Sequence, residues 1–583
     1  MHELPIGLSS VCCFLAEPSL QQVFSKSPLF LQQAEVCSRH REQTWFSMSG
    51  KKELQLHMIA HIRDVTGEDV KRLEPRASGT FYRSLVAWAK IQPGTPYLVE
   101  AETGRELTYA HTLASVNSVR QLLGDTPRRI VLALPGGVVN AVIWLSALSG
   151  GHMLVPLSPD APDEEKSRIA QKHRPDVLFV ERTQEAQGFA CPHAQVIPRQ
   201  ACDALLEQAS SYESLEPVEG RVCLTTSGTT GEPKGVVLSE RQIAWTADSI
   251  RVSHRLSTRD RGLTVLPFFH VNAPVVSLCS SLLAGSTVII ARRFSRRHFW
   301  SWIERFGITW ASIVPTIVAM LLETEKPAFL PGSLRFVRTG SAPLPTADLL
   351  AFEAHFGIPV IETYGLSEAA SQVVANPVPP GIHKPGSAGR PVGVALRICY
   401  PRTDENGEML RDVVPGEMGE ICIAGPSVIG SYQDNAGQEA FQDGWFRTGD
   451  LGYLDEEGYL FIRGRLREVI ICGGENIAPR EVEEVLMWHA AVREAAVVGR
   501  PDPIYGEQVV AYVAVQGAWS EEMAQELRQY AARRLSPQKV PVDFMALDAL
   551  PRNQMGKVER RLLRMREQAR AAACKVEHTV FVS

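Results

Sequence analysis

Short apolar runs, each stopped by Gly, Pro or Ser and followed by a helix-capable segment, leave this chain few folds. Arg129–Pro135 reads as a strand ending at Gly136 and Gly137, where a helix begins, and Leu107–Leu122 reads as a helix leading into it. Met153–Leu157 is a strand stopped by Ser158 and Pro159, Asp163–His173 a polar helix, and Val177–Val180 the next strand. Strand, helix and strand at this spacing predict a doubly layered α/β domain with a largely parallel sheet. The same alternation returns with strands at Gly262–Pro267, Thr287–Ala291, Thr309–Val314, Leu334–Arg338 and Pro359–Glu362, and a helix at Arg297–Phe306. Beyond about residue 385 the texture changes to short strands with Gly-rich turns: Ala395–Cys399, Gly419–Ala424 and Gly458–Arg463. That predicts a β-rich subdomain. From about Leu466 helices at Pro479–His489 and Ser520–Arg534 flank strands at Ala495–Val498 and Val509–Val515, the pattern of a small α+β domain.

A chain of 583 residues exceeds one ordinary hydrophobic core, so several domains are expected. We expect an N-terminal extension over 1–50, where no period of two or 3.6 is sustained, a large domain over 51–464 and a small one over 465–583. No eighteen-residue apolar run is present, which excludes an ordinary membrane-spanning helix. A formal charge of -5 gives no reason to expect a nucleic-acid partner. The eleven cysteines are scattered without repeated C-x-x-C spacing, and no signal peptide is legible at the start. Reduced thiols and a cytoplasmic location are the expectation.

The strongest local signal is Leu224-Thr225-Thr226-Ser227-Gly228-Thr229-Thr230-Gly231-Glu232-Pro233-Lys234-Gly235. Glycines let backbone approach a ligand closely, hydroxyls and amides donate to phosphate oxygens, and Lys234 adds positive charge. It is no Walker loop, because Gly235 stands where that motif needs Ser or Thr. Composition reads as a phosphate cradle and does not say which reaction.

Taken with further motifs, this segment resembles the adenylate-forming superfamily: acyl-CoA synthetases, adenylation domains and beetle luciferases. The resemblance covers roughly 55–565 and is closest in wording to acyl-CoA ligases. It rests also on Glu362-Thr363-Tyr364-Gly365-Leu366-Ser367-Glu368, Trp445-Phe446-Arg447-Thr448-Gly449-Asp450, Gly464-Arg465-Leu466-Arg467, Gly473-Gly474-Glu475-Asn476 and Pro551-Arg552-Asn553-Gln554-Met555-Gly556-Lys557.

The resemblance implies ATP-dependent activation of a carboxylic acid to an acyl-adenylate, then transfer to a thiol. Its phosphate-binding residues would be Thr226, Ser227, Gly228, Thr229, Thr230, Gly231 and Lys234. Tyr364 would lie against adenine with Thr363 beside it, Glu368 would help hold Mg2+, Asp450 would accept the ribose hydroxyls, and Arg465 would contact the nucleotide. Lys557 would bridge the carboxylate and the α-phosphate, and a small mobile C-terminal domain would turn about a hinge at 465–467. Arg467 departs from the family's usual Asp or Lys there. Pro267-Phe268-Phe269-His270 resembles the edge of the acyl pocket, where His270 either gates the path or merely packs. Gly473, Gly474 and Glu475 would line the tunnel for coenzyme A.

Asn272, Arg338, Gly340 and Ser341 are the candidates for the acyl pocket. An arginine inside a closed pocket favours a second carboxylate on the substrate, but strand alternation equally lets Arg338 point away and pair with an acid on a helix. Small dicarboxylic, longer aliphatic and aromatic acids all stay open. So does the acceptor: free coenzyme A, or the phosphopantetheine thiol of a separate acyl carrier protein. A third reading is a nucleotide-binding scaffold that has lost the reaction; Lys557, Glu368 and Asp450 argue against it.

Overall fold

The computed structural model describes residues 77–209, 213–226, 234–327, 332–401, 411–414, 416–433, 437–552 and 557–580. The expected extension over 1–50 lies outside them. Two sheets form the large α/β part. The six-stranded sheet runs Gln195–Pro198, Val177–Val180, Arg129–Ala133, Met153–Pro156, Arg221–Thr226 and Lys234–Ser239, parallel until its last, antiparallel pair. The nine-stranded sheet runs Arg390–Pro391, Ser371–Ala375, Val360–Leu366, Phe336–Thr339, Trp310–Ile313, Arg261–Thr264, Thr287–Ile290, Pro96–Glu100 and Glu106–Thr108. Its five interior pairings are parallel, and antiparallel strands close both edges. The α/β expectation holds, with mixed rather than wholly parallel sheets.

The helix Val138–Ser149 is buried along its whole length and touches strands of both sheets. Its sequence, VVNAVIWLSALS, is apolar on every side, as a helix without a solvent face must be. Some of its buried polar groups are met nearby: Ser146 and Ser149 donate to the carbonyls of Val142 and Leu145, and Asn140 donates to that of Leu134, whereas Asn140 Oδ1 and Trp144 Nε1 find no partner among the described residues. A second helix, Thr80–Ile91, lacks a capping side chain of its own, since Gly79 precedes it. The buried carboxylate of Glu240 substitutes, accepting from the amides of Gly79 at 2.7 Å and Phe81 at 3.1 Å.

The β-rich part is a five-stranded sheet built on Ala395–Cys399, Gly419–Ala424 and the ten-residue strand Trp445–Leu454. The C-terminal part is a second five-stranded sheet in which Val492–Asp502 pairs with Gly506–Val515, packed by the helices Pro479–Met487, Glu521–Ala532 and Arg560–Val580. Among the described residues no helix is long and apolar enough to cross a membrane.

Boundaries move where tertiary structure intervenes. The strand expected over Gly262–Pro267 ends at Thr264, because the chain there turns into the loop carrying His270. The one expected over Pro359–Glu362 continues to Leu366, drawn out by antiparallel pairing with Ser371–Ala375. Replacing Glu240 by Ala leaves two buried amides without an acceptor. It should cost about 2–4 kcal/mol, from the usual penalty per unsatisfied buried group; urea unfolding of E240A against wild type measures it, and an unchanged midpoint excludes the cross-element cap.

Candidate active site

Arg221–Thr226 and Lys234–Ser239 form an antiparallel hairpin in which Thr226 pairs with Lys234. The phosphate-cradle segment is therefore the connection of this hairpin. Ser227, Gly228, Thr229, Thr230 and Gly231 lie outside the described residues. The ammonium of Lys234 sits 4.8 Å from the ring centre of Tyr432, whose hydroxyl donates to Glu368 Oε1 at 2.9 Å. Tyr432 follows a turn and carries no spacing signal, so sequence reasoning missed it. Its neighbour Gln433 donates its amide to the carbonyl of Gly235 at 2.9 Å, tying that turn to the hairpin. A Cβ at Gly235 would meet Gln433 Oε1 at 2.6 Å, which explains glycine there.

Tyr364 lies on the antiparallel extension of Val360–Leu366 and donates from its hydroxyl to Asp450 Oδ2 at 2.6 Å. Asp450 lies opposite Arg465 on the neighbouring strand, and Arg465 Nε reaches Asp450 Oδ1 at 2.8 Å. The turn before Asp450 is built by a second buried carboxylate. Glu420 pairs with Arg447 and accepts from the Gly449 amide at 3.1 Å, while Gly449 takes φ 71°. Thr448 donates to the carbonyl of Ile421 and accepts from the amide of Asp450, and Thr363 donates to the carbonyl of Thr339. Both threonine protons are thus committed to holding strands.

Lys557 arrives from the C-terminal part. The residues before it, 553–556, lie outside the described set, but Arg552 and Val558 bridge across them. Burial and Arg465 lower the Lys557 ammonium below its usual value, while Asp450 and Glu368 pull it the other way. Lys557 also helps hold His270 down at about 4, after the larger effect of burial. These field effects place Lys557, His270, Arg465, Asp450 and Glu368 around one region. His270 is neutral near pH 7; its ring tilts against Phe269 at 4.5 Å, and among the described residues its Nε2 has no hydrogen-bond partner.

Asn272 links the two candidate pocket loops. Its Nδ2 donates to Ser341 Oγ at 2.8 Å and its Oδ1 accepts from Arg338 at 2.8 Å. Arg338 is 2% exposed and, among the described residues, meets no carboxylate at ion-pairing distance; the expected alternative, a partner acid on a helix, is not found there. Gly340 lies against this guanidinium, since a Cβ there would stand 3.0 Å from an Arg338 terminal nitrogen.

Gly473 and Gly474 take φ 58° and 84°, the left-handed pair that a two-residue hairpin turn needs between Ile470–Cys472 and Glu475–Ile477. Glu475 lies 3.9 Å from Lys539. Arg467 is exposed, and its carbonyl accepts from Arg564 on the last helix at 2.8 Å.

For Mg2+ the donor chemistry fits. Glu368 offers hard carboxylate oxygens on the side of the hairpin that carries Lys234, and Mg2+ ordinarily uses one or two carboxylates with phosphate oxygens and water. Among the described residues no cluster of three metal-ligating side chains exists, so the metal would be held largely by the nucleotide.

Two family models match the chain: AMP-binding enzyme over residues 85–433 and AMP-binding enzyme C-terminal domain over 481–557. The chain belongs to the AMP-binding, adenylate-forming enzymes. Within that family it is 36% identical to the sulfoacetate–CoA ligase of Cupriavidus necator over 84% of this chain and 98% of the relative. It is 38% identical to the oxalate–CoA ligase of Arabidopsis thaliana over 62% and 70%. ATP-bound MatB from Rhodopseudomonas palustris superposes with TM-score 0.75 and 26% identity, covering 84% of this chain and 99% of that one. O-succinylbenzoate coenzyme A synthetase from Bacillus subtilis, with ATP and magnesium, gives 0.71 and 31% over 82% and 98%. This AMP-binding enzyme is an adenylate-forming acid–thiol ligase.

Glu362, immediately before Thr363, accepts from the Gly386 amide at 2.8 Å. Burial drives its carboxyl up to about 8 against the opposing pull of Arg480. A carboxyl raised above its unfolded value of about 4.3 stabilises fully below that value, and the contribution is lost as pH rises through the folded value. Glu362→Gln should therefore flatten the fall in Tm between about pH 5 and 8. Melting curves across that range test it; parallel curves for the two proteins exclude the effect.

Proposed function

We propose that this enzyme joins a small carboxylic acid to ATP, releases pyrophosphate, and passes the acyl group from the adenylate to coenzyme A. The observation that carries the reading is Asp450 held between Tyr364 at 2.6 Å and Arg465 at 2.8 Å, with Lys557 in the field of Asp450, Arg465 and Glu368.

In the first step a carboxylate oxygen bonds to the α-phosphorus as the bond to pyrophosphate breaks. The acid is already an anion at neutral pH, so no base is required and the barrier lies in bringing two anions together. Lys557 serves by holding the carboxylate and the α-phosphate side by side and by neutralising charge as it develops. Bound Mg2+ would supply charge neutralisation on the phosphates, with Glu368 as its protein ligand. Thr226, Ser227, Gly228, Thr229, Thr230, Gly231 and Lys234 take the phosphates. Tyr364 lies along adenine, with Thr363 fixing its strand. Asp450 accepts the ribose hydroxyls while Arg465 and Tyr364 hold its orientation.

In the second step the thiol sulfur bonds to the acyl carbon, the carbon–oxygen bond to AMP breaks, and the thiol releases its proton. Lys557 has no part there, so we assign the change of task to rotation of 465–583 against 51–464 about residues 465–467. Exposed Arg467 can stay in water in either pose. The glycine hairpin Gly473–Glu475 would then line the path of coenzyme A, and His270 would shape the acyl end as a neutral ring. ATP and coenzyme A are both available in the cytoplasm, so a cytoplasmic enzyme is compatible with this reading.

Pyrophosphate release from ATP, Mg2+ and a panel of aliphatic, dicarboxylic and aromatic acids should rise when coenzyme A is added. Release that ignores coenzyme A but responds to a phosphopantetheinylated carrier protein would move the acceptor to the carrier. Lys557→Ala should slow adenylate formation about 10²–10³-fold, the usual loss for one group that stabilises developing charge. Thioester formation from supplied acyl-adenylate should stay within a few-fold of wild type. Equal losses in both half-reactions would exclude the division of labour.

A further inference from the structure

Arg338 is a buried cation whose hydrogen-bond partners among the described residues are all neutral. It lies at the end of the interior strand Phe336–Thr339, 2% exposed, with parallel strands on both sides. Its hydrogen-bond partners are neutral: Asn272 Oδ1 at 2.8 Å and Ser312 Oγ at 3.4 Å. Among the described residues its Nε has no partner, and no carboxylate lies within ion-pairing distance. Burial lowers its pKa to about 9, still above neutrality, so the guanidinium remains charged at working pH. Nearby His254 is held at about 3, chiefly by burial and then by Arg338 and Arg335, so it is a neutral neighbour and no counter-ion. A buried, unpaired cation is costly enough that proteins pair it, neutralise it or use it. Neither of the first two has happened here.

The surroundings identify the use. Asn272 bonds both Arg338 and Ser341, and it stands two residues beyond His270, which lies in the field of Lys557. Gly340 leaves no side chain between the guanidinium and this meeting of loops, and a Cβ there would also meet Thr363 Oγ1 at 2.7 Å. Ser341 is held at φ 72°, a strained conformation for a residue with a side chain, of the kind found around ligand sites.

We infer that the acid substrate carries a second anionic group, a carboxylate or a sulfonate, and that Arg338 pairs with it while Asn272 and Ser341 orient it. This rests on the ligase reading of the same site. A planar anion can accept two parallel hydrogen bonds from a guanidinium fork, which specifies the end of the substrate away from the reaction. Asn272 keeps one terminal nitrogen in place, leaving Nε and the other for the ligand.

Pyrophosphate release by wild-type enzyme, R338M and R338K should be compared with malonate, succinate and sulfoacetate against malonamate, propionate and butyrate. Wild type should favour at least one dianionic acid over its monoanionic counterpart by 100-fold or more in kcat/KM. R338M should lose that preference mainly through a raised KM for the dianionic acid relative to its monoanionic counterpart; R338K should recover part of it. Preference for malonate or succinate identifies a carboxylate, and preference for sulfoacetate a sulfonate. A wild type that favours monoanionic acids, or an R338M that loses both classes equally, overturns the inference and leaves the ligase reading intact. Melting of wild type with each acid decides the matter if R338M does not fold. Dianionic acids should raise Tm and monoanionic ones should not, and the absence of any such difference overturns the inference. Should no acid of either class release pyrophosphate, the ligase reading is what fails, and the Tm comparison still decides Arg338.

Discussion

The carboxylate of Asp450 is the junction on which the site depends. Tyr364 reaches it from the nine-stranded sheet, Arg465 from the strand that leads into the C-terminal part, and Asp450 itself stands on the long strand of the β-rich sheet. Each partner uses a different oxygen, so the carboxylate is held from two directions and still has lone pairs to offer. Asp450 is 5% exposed, and a charge at that depth needs both contacts. Behind it, the Glu420–Arg447 pair shapes the Gly449 turn and fixes the strand that presents Asp450. Two sheets thereby share one ionic centre.

Around this centre the protein tolerates charges that stability alone would remove. Lys557 feels Arg465 as a repulsive neighbour, and Arg338 has only neutral partners among the described residues. His270 is kept neutral by burial and by Lys557. On the proposed reading each arrangement would suit a bound anion: the carboxylate and phosphates near Lys557, a further acidic group near Arg338. A site designed only for folding would pair or replace these cations with apolar groups. Their persistence is what the proposed ligand binding would account for.

Periodicity made much of the architecture legible. Asp163–His173 and Val177–Val180 have the bounds expected of them, because Pro162 and Pro175 punctuate the chain and neither segment depends on distant residues for its limits. The candidate residues were legible too, in two ways: composition alone read as a phosphate cradle, whereas Asp450 and Lys557 took their roles from the motifs that resemble the adenylate-forming superfamily. Other elements were hidden. Trp445–Leu454 contains Gly449 and Gly452 and alternates poorly, yet it forms a ten-residue strand because strands on either side supply its hydrogen bonds. Ala273–Cys279 forms a wide π-type turn just after Asn272, which no local propensity signals.

The sequence by itself determined the chemistry available: the α/β pattern, the glycine and hydroxyl cradle, Lys557, Glu368 and Asp450, and hence an adenylate-forming enzyme. Tertiary structure alone decided which way Arg338 faces, that Tyr432 meets Glu368 and Lys234, and that Asn272 joins two loops. The reason is physical. Strand and helix periods are set by neighbours a few positions away, whereas the partner of a buried charge is chosen by segments far along the chain. For Arg338, sequence left open an acid on a helix or an anion in the pocket; the fold put Asn272 and Ser312 beside it instead of a carboxylate.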